Sequence, residues 1–215
     1  MIFNLTLYLL RHGQTAHSRD NLFCGSGTEA ELTVEGAAMG RAFAAAYKTQ
    51  PFAAIFVSPM KRARETIRPL CEATGIQADV CEGLREIGYG KWEGKTVEEV
   101  SRAYGEDYKR WLVDPENFAP NDGETAREIE KRGMAVIDEI RQRCPSGNAL
   151  LVAHKATIRV LISAMLGLPL KYFRYRLACP VCSLSTIEFT KDGALLQTLG
   201  DRSHLPPELL RLAGT

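Results

Sequence analysis

Leu5-Thr6-Leu7-Tyr8-Leu9-Leu10-Arg11-His12-Gly13-Gln14-Thr15 runs from an apolar, strand-like stretch directly into an arginine and a histidine. Those two side chains at the end of a buried strand lose solvation unless a partner meets them. In an α/β sheet the carboxyl ends of the strands border the ligand crevice, so Arg11 and His12 point to an anion site that holds a nucleophile.

Working outward, strand-like segments at 5–10, 54–58, 77–81, 149–153, 184–189 and 195–199 alternate with helical patterns at 33–48, 61–74, 97–114, 126–143 and 157–166. That alternation predicts an α/β fold, a three-layer α/β/α sandwich around a mostly parallel sheet. Thr190-Lys191-Asp192-Gly193 joins the last two strands, and its Asp-Gly pair predicts an antiparallel edge hairpin. Thr33 is placed to cap the first helix, Gly75 to end the second, and Pro145 with Gly147 to end the fourth. The stretch 89–124 breaks the alternation with Trp92, Trp111 and the breaker-rich run 114–123. It is expected to form a cap-like insertion over the sheet's carboxyl edge, within a single domain spanning 1–215.

The bulk numbers exclude several classes. A chain of 215 residues with 45% hydrophobic and 25% charged residues is globular rather than disordered or fibrous. A net charge of +1 supplies no global field for nucleic acid or an acidic membrane, so any anion site must be built locally. No apolar run approaches the roughly 20 residues that span a bilayer. The first apolar run is also too short for a secretory leader, so a cytoplasmic enzyme without a membrane partner is expected. Cys24, Cys71, Cys81 and Cys144 are scattered, and Cys179-Pro180-Val181-Cys182 has no second pair to complete a zinc site. Reduced structural thiols, with no metal and no cofactor, are the expectation.

Four further segments offer partners for Arg11 and His12. Ser58-Pro59-Met60-Lys61-Arg62-Ala63 puts a forked donor at a helix start, where free N–H groups favour anions. Leu84-Arg85-Glu86-Ile87-Gly88-Tyr89-Gly90 follows an apolar segment and presents Glu86. A carboxyl facing a phosphate dianion holds a proton nearer neutrality and can give it to a leaving alkoxide. Asp122-Gly123-Glu124-Thr125 precedes the fourth helix, and Leu150-Leu151-Val152-Ala153-His154-Lys155 ends a second apolar strand on a second histidine. Parallel strands bring their carboxyl ends to one side of the sheet, so His12, Arg62 and His154 can converge. Each segment alone also suits a solvated helix start, a salt-bridge partner or a hydrogen-bonded structural histidine. Lys91, Lys95, Lys109 and Arg110 give the expected cap a basic edge, best read as a solvated helix face. His17 is expected to be exposed, and 201–205 to be a solvated tail.

Taken in order, Arg-His-Gly, Ser-Pro-x-x-Arg-Ala, Leu-Arg-Glu with Gly-x-Trp-x-Gly, Gly-Glu-Thr, and His before Thr-Ile-Arg resemble the histidine phosphatase superfamily, also called phosphoglycerate mutase-like. The resemblance spans most of the chain and implies a phosphohistidine mechanism. His12 would be the nucleophile and Glu86 the proton donor and acceptor. Arg11, Arg62 and His154 would neutralise the phosphate, with His154 a cation held so by it. Attack requires a neutral His12, so a hydrogen bond on its other nitrogen is expected. Ser18, Gly25, Tyr89 and Lys155 are the expected substrate-binding residues.

Three departures from the family pattern stand out. Lys155 replaces a glycine, and either strains a left-handed backbone or lines the pocket for an anionic substrate. Ser18 stands where asparagine is common, and the loop 24–32 lacks the usual Asp and Pro. The resemblance implies a metal-independent hydrolase of a small phosphate ester. A cofactor-dependent phosphoglycerate mutase is the alternative, disfavoured by Ile87 where mutases carry an arginine and by Lys95-Thr96 for their Asn-Lys pair. A non-catalytic phospho-ligand module on the same fold is a lesser alternative, disfavoured because His12 and Glu86 are both present. An edge strand and an exposed cap offer surfaces for a homodimer.

Overall fold

Leu5, Leu7 and Leu9 lie on one face of the first strand and Leu10 on the other, all completely buried. Each such leucine contributes about 2 kcal/mol of hydrophobic stabilisation. A strand buried on both faces belongs in the middle of a covered sheet. The computed structural model, which describes residues 4–214, places it there as β1 (Asn4–Arg11).

After β1 come α1 (Ala16–Arg19), α2 (Val34–Tyr47), β2 (Phe52–Val57), α3 (Lys61–Thr74) and β3 (Ala78–Val80). Helices α4 (Val97–Ala103), α5 (Gly105–Val113) and α6 (Ala126–Arg143) lead to β4 (Ser146–Ala153). Then follow α7 (Lys155–Met165), α8 (Phe173–Arg176), β5 (Leu184–Thr190), β6 (Gly193–Asp201) and α9 (Pro207–Leu210). The sheet order is β3-β2-β4-β1-β5-β6. β3, β2, β4 and β1 are parallel, and β5 with β6 forms the antiparallel edge. Met39 and Phe43 of α2 and Ile67 and Leu70 of α3 pack on one face with Leu10 and Val152. Ile137 and Ile140 of α6 and Leu161 of α7 pack on the other with Leu7 and Leu151. The result is a mixed α/β sandwich of three layers.

Several boundaries differ from expectation. The helix expected at 97–114 is two, α4 and α5, because Tyr104 leaves helical geometry (φ −132°, ψ 35°) ahead of Gly105, a weak helix former. β3 is reduced to three residues, Ala78–Val80. The last long helix begins at Lys155, two residues early, because the Glu86 carboxylate reaches in from a distant loop to accept its first N–H groups. The tail is not solvated. Leu205 is buried, and the His204 ring packs edge-on against Phe43 (5.3 Å). His17 is half-buried rather than exposed. All six cysteines are free thiols.

Register aligns the strand ends. Arg11 pairs with Ala153 and Val57 with Val152, so His12, His154 and Ser58 fall side by side at one carboxyl edge. The stretch 89–124 leaves the sandwich beyond Gly88, whose carbonyl accepts the Glu124 N–H at 2.8 Å where the chain returns. Between these points Trp92, Val100, Tyr108 and Trp111 form a separate aromatic cluster closed by Phe23. No helix among the described residues is long and apolar enough to cross a membrane.

Candidate active site

A cavity of about 190 Å³ opens at that carboxyl edge, with Arg11, His12, Arg62 and Glu86 at its inner end. His12 is 5% exposed, and its Nδ1 donates to the Gly13 carbonyl at 2.7 Å. A carbonyl only accepts, so Nδ1 carries the proton and Nε2 keeps its lone pair. Burial, then Arg62 and Arg11, push the His12 pKa well below the usual imidazole value, so the ring is neutral. Close packing fixes the turn: a Cβ on Gly13 would stand 2.5 Å from the Gly36 carbonyl oxygen at the start of α2.

The arginines are held by backbone carbonyls. Arg11 donates to Cys179 O at 2.7 Å, its Nε has no hydrogen-bond partner among the described residues, and burial lowers its pKa to about 10. Arg62 reaches from the first turn of α3 to Thr28 O (2.9 Å) and Gly25 O (3.2 Å), and its Nε donates to His154 Nδ1 at 3.2 Å. Gly25 therefore anchors Arg62 through its carbonyl, next to Phe23 and Cys24 in the cavity wall. A Cβ there would lie 2.3 Å from Ile87 O.

His154 is completely buried behind the cavity surface, its ring 5.1 Å from that of His12. With Arg62 donating to Nδ1, the proton sits on Nε2, which donates to Ser58 Oγ at 2.7 Å. Burial, Arg62, His12 and Arg11 all lower its pKa, so His154 is neutral without a phosphate beside it, while the expectation of a cation concerns the phosphate-bound site. Glu86, 5% exposed, accepts from Ile87 N (2.9 Å), Ala156 N (3.2 Å), Thr157 N (3.2 Å) and Thr157 Oγ1 (3.3 Å). Arg132 of α6 clamps this loop from behind, donating to Gly83 O (2.7 Å), Arg85 O (2.8 Å) and Glu86 O (3.3 Å) while paired with Glu124 at 2.7 Å.

The expected substrate-binding residues divide. Ser18 lines the cavity, but its hydroxyl is committed to Thr15, accepting from its N–H and donating to its carbonyl. Tyr89 lines the cavity against Phe23 (5.0 Å) and Trp111 (6.0 Å), its phenol pKa raised by burial and by Glu86. Lys155 also lines the cavity, at the first position of α7 and outside the left-handed region, so its side chain costs no backbone strain. Burial beside Arg11 and Arg159 brings its pKa down to about 8. Arg159, read in the sequence only as the end of the Thr-Ile-Arg motif, and Arg174, not singled out there, also join the wall. Arg159 sits four residues after Lys155, a spacing that could have exposed it. Nothing local marks Arg174.

The basic edge at 91–110 stands apart from the cavity. Lys91 pairs with Asp122 (3.1 Å), Lys109 with Glu106 (2.8 Å), Lys95 donates to Lys91 O (2.7 Å), and Arg110 stacks on Phe118 (4.2 Å). Among the described residues no group of three or more His, Cys, Asp or Glu is placed to hold a metal ion.

Residues 7–202 match the sequence profile of the histidine phosphatase superfamily (branch 1). The chain belongs to that family. It is 27% identical over 207 residues to the adenosylcobalamin/alpha-ribazole phosphatase of Salmonella typhimurium, covering 95% of this chain and 100% of that protein. It is 30% identical over 207 residues to an Enterobacter protein named "Probable phosphoglycerate mutase GpmB", covering 94% and 95%. Among solved structures, Bacillus stearothermophilus YhfR superposes with a TM-score of 0.86 at 28% identity, covering 93% of this chain and 98% of that one. The relatives thus include a phosphatase and a probable phosphoglycerate mutase, and the superposed structure shares this sandwich.

Proposed function

We propose that this histidine phosphatase hydrolyses a small phosphomonoester through a covalent phosphohistidine on His12, without a metal. The observation that carries the reading is the tautomer of His12. Its Nδ1–H is spent on Gly13 O, its pKa is held low, and the remaining lone pair belongs to a residue that lines the cavity beside two arginines. Nε2 attacks phosphorus and the bond to the ester oxygen breaks. Glu86 gives that oxygen a proton, so the alcohol leaves neutral. A water then attacks the phosphohistidine, Glu86 takes its proton, the P–Nε2 bond breaks, and inorganic phosphate departs.

Arg11 and Arg62 supply charge where the non-bridging oxygens spread theirs, and their carbonyl anchors mean that little reorganisation accompanies the transfer. His154 is assigned a positioning role, holding Arg62 Nε and the flank of His12. Residues 89–124 act as a cap, with Tyr89, Val97 and Trp111 in the cavity wall. The cytoplasm remains the expected compartment, and a homodimer through the sheet edge or cap the expected assembly.

A mutase reading shares the first half of this sequence and is favoured by the Enterobacter relative. It diverges only in returning the phosphoryl group to a second substrate oxygen. Against it, Ile87, which replaces the mutases' arginine, turns into an apolar cluster with Ile129 and Val160 and away from the cavity. The test is a phosphomonoester panel run on wild type, His12→Ala and Glu86→Gln. Phosphate release abolished by His12→Ala, with acid-labile phosphoenzyme persisting in Glu86→Gln, supports the proposal. Interconversion of phosphoglycerates faster than phosphate release would replace it with the mutase.

A further inference from the structure

The cavity has more positive charge than one phosphate uses, and the excess sits on side chains more exposed than Arg11 and Arg62, which marks its outer end. Lys155 and Arg159 are four residues apart on α7 and so share a helix face. Arg174 of α8 approaches from the cap side, its guanidinium 3.8 Å above the Trp111 ring. All three line the cavity, as do Arg11 and Arg62.

Elsewhere, half-buried or exposed cations such as Arg132 and Arg143 meet a carboxylate, Glu124 at 2.7 Å and Asp79 at 2.6 Å. Lys155, Arg159 and Arg174 make no ion pair within 4.0 Å among the described residues. Arg159 Nε is buried without a hydrogen-bond partner there. Buried donors of this kind are costly to leave unmet, and like charges four apart on a helix repel. Arg174 is oriented in advance: Trp111 fixes its plane, and Nη1 donates to the Tyr175 hydroxyl at 3.0 Å. Cations held without counter-charge around a crevice are suited to a ligand that brings the charge.

We propose that Lys155, Arg159 and Arg174 form a second-anion subsite, so that the substrates are phosphomonoesters bearing a carboxylate or a second phosphate on the alcohol portion. The assignment rests on the phosphatase reading of the cavity's inner end and adds the class of molecule that fills the outer end. A cavity of about 190 Å³ keeps the two acidic groups within one compact molecule. The depressed Lys155 pKa agrees with this: burial lowers it most, and Arg159, one of the neighbouring cations that add to it, is a group the second anion would neutralise.

The test compares glycerol 3-phosphate, 3-phosphoglycerate and 1,3-propanediol bisphosphate as substrates of wild type, Lys155→Met, Arg159→Met and Lys91→Ala. Wild type is expected to favour one or both doubly acidic compounds in kcat/KM by at least about thirtyfold, and which one wins separates a carboxylate subsite from a phosphate subsite. Each of Lys155→Met and Arg159→Met should cut that preference about tenfold, chiefly through KM, the scale of one charge-assisted hydrogen bond. Lys91→Ala, whose side chain faces Asp122 outside the cavity, should keep it. Equal kcat/KM for all three substrates in wild type, or variants that lose activity equally on all three, overturns the subsite. Calorimetric binding of the same compounds to His12→Ala reads the subsite without turnover. If nothing is hydrolysed yet 3-phosphoglycerate binds better than glycerol 3-phosphate and Lys155→Met abolishes the difference, the phosphatase reading falls and the subsite stands. If the binding affinities are equal, the subsite falls.

Discussion

The two ends of the cavity treat positive charge in opposite ways. At the inner end Arg11 and Arg62 are tied to the carbonyls of Cys179, Gly25 and Thr28, and His154 is wedged between Arg62 and Ser58. At the outer end Lys155, Arg159 and Arg174 come from helices and touch no carboxylate within 4.0 Å among the described residues. Carbonyl anchors fix a guanidinium without cancelling its charge, which suits a transition state whose geometry never varies. Lys155 and Arg159 have no such anchor and can adapt to the anion that arrives, while Arg174 is held in place over Trp111. On the proposed reading, this difference gives chemistry to the strand ends and selection to α7, α8 and the stretch 89–124.

The hardest blow to this division should come from Arg11→Met. It is expected to lower kcat about 10²- to 10³-fold on every phosphomonoester, whatever its second group, as steady-state phosphate release will show. A loss confined to doubly acidic substrates would erase the distinction between the two ends. Next in size is Arg132→Met, which frees the loop that carries Glu86 without touching the cavity. A drop of about tenfold in kcat with KM little changed is expected, because a proton donor displaced by a fraction of an ångström loses its alignment. An unchanged kcat would show that the four donors around Glu86 hold it unaided.

A pH series sharpens the outer end. Lys155 faces Arg11 from β1, Arg159 from its own helix, the Cys179 thiol from the segment after α8, and Glu86 from the loop before the cap. With its pKa lowered to about 8, its ammonium is present below that pH and lost as pH rises through it. KM for 3-phosphoglycerate should therefore climb roughly tenfold by one unit above that value, and far less in Lys155→Met. The smallest effect belongs to Lys109→Ala. Its partner is Glu106 on the solvent side, and kcat/KM on any substrate should stay within about twofold.

Much of this was legible before any coordinates. The apolar runs of β1 and β4, each followed directly by a histidine, let His12 and His154 converge, because parallel strands bring their carboxyl ends to one side of the sheet. The Asp-Gly pair at 192–193 located the antiparallel hairpin, since turn chemistry is local. The start of α7 was not legible, because its cap is Glu86, some seventy residues away in the chain. The job of Gly25 was equally hidden, since its carbonyl meets Arg62 only through the fold.

Sequence by itself determined the layered fold, the family and the candidate site residues, for these follow from period, turn residues and motif order. Tertiary structure decided their states and their allegiance. It made His12 and His154 neutral by burying them beside arginines, decided for Lys155 between backbone strain and a place in the wall, and gathered Arg159 and Arg174 from separate helices into one crevice. Desolvation and through-space charge depend on what surrounds a residue, and that neighbourhood exists only once the chain has folded.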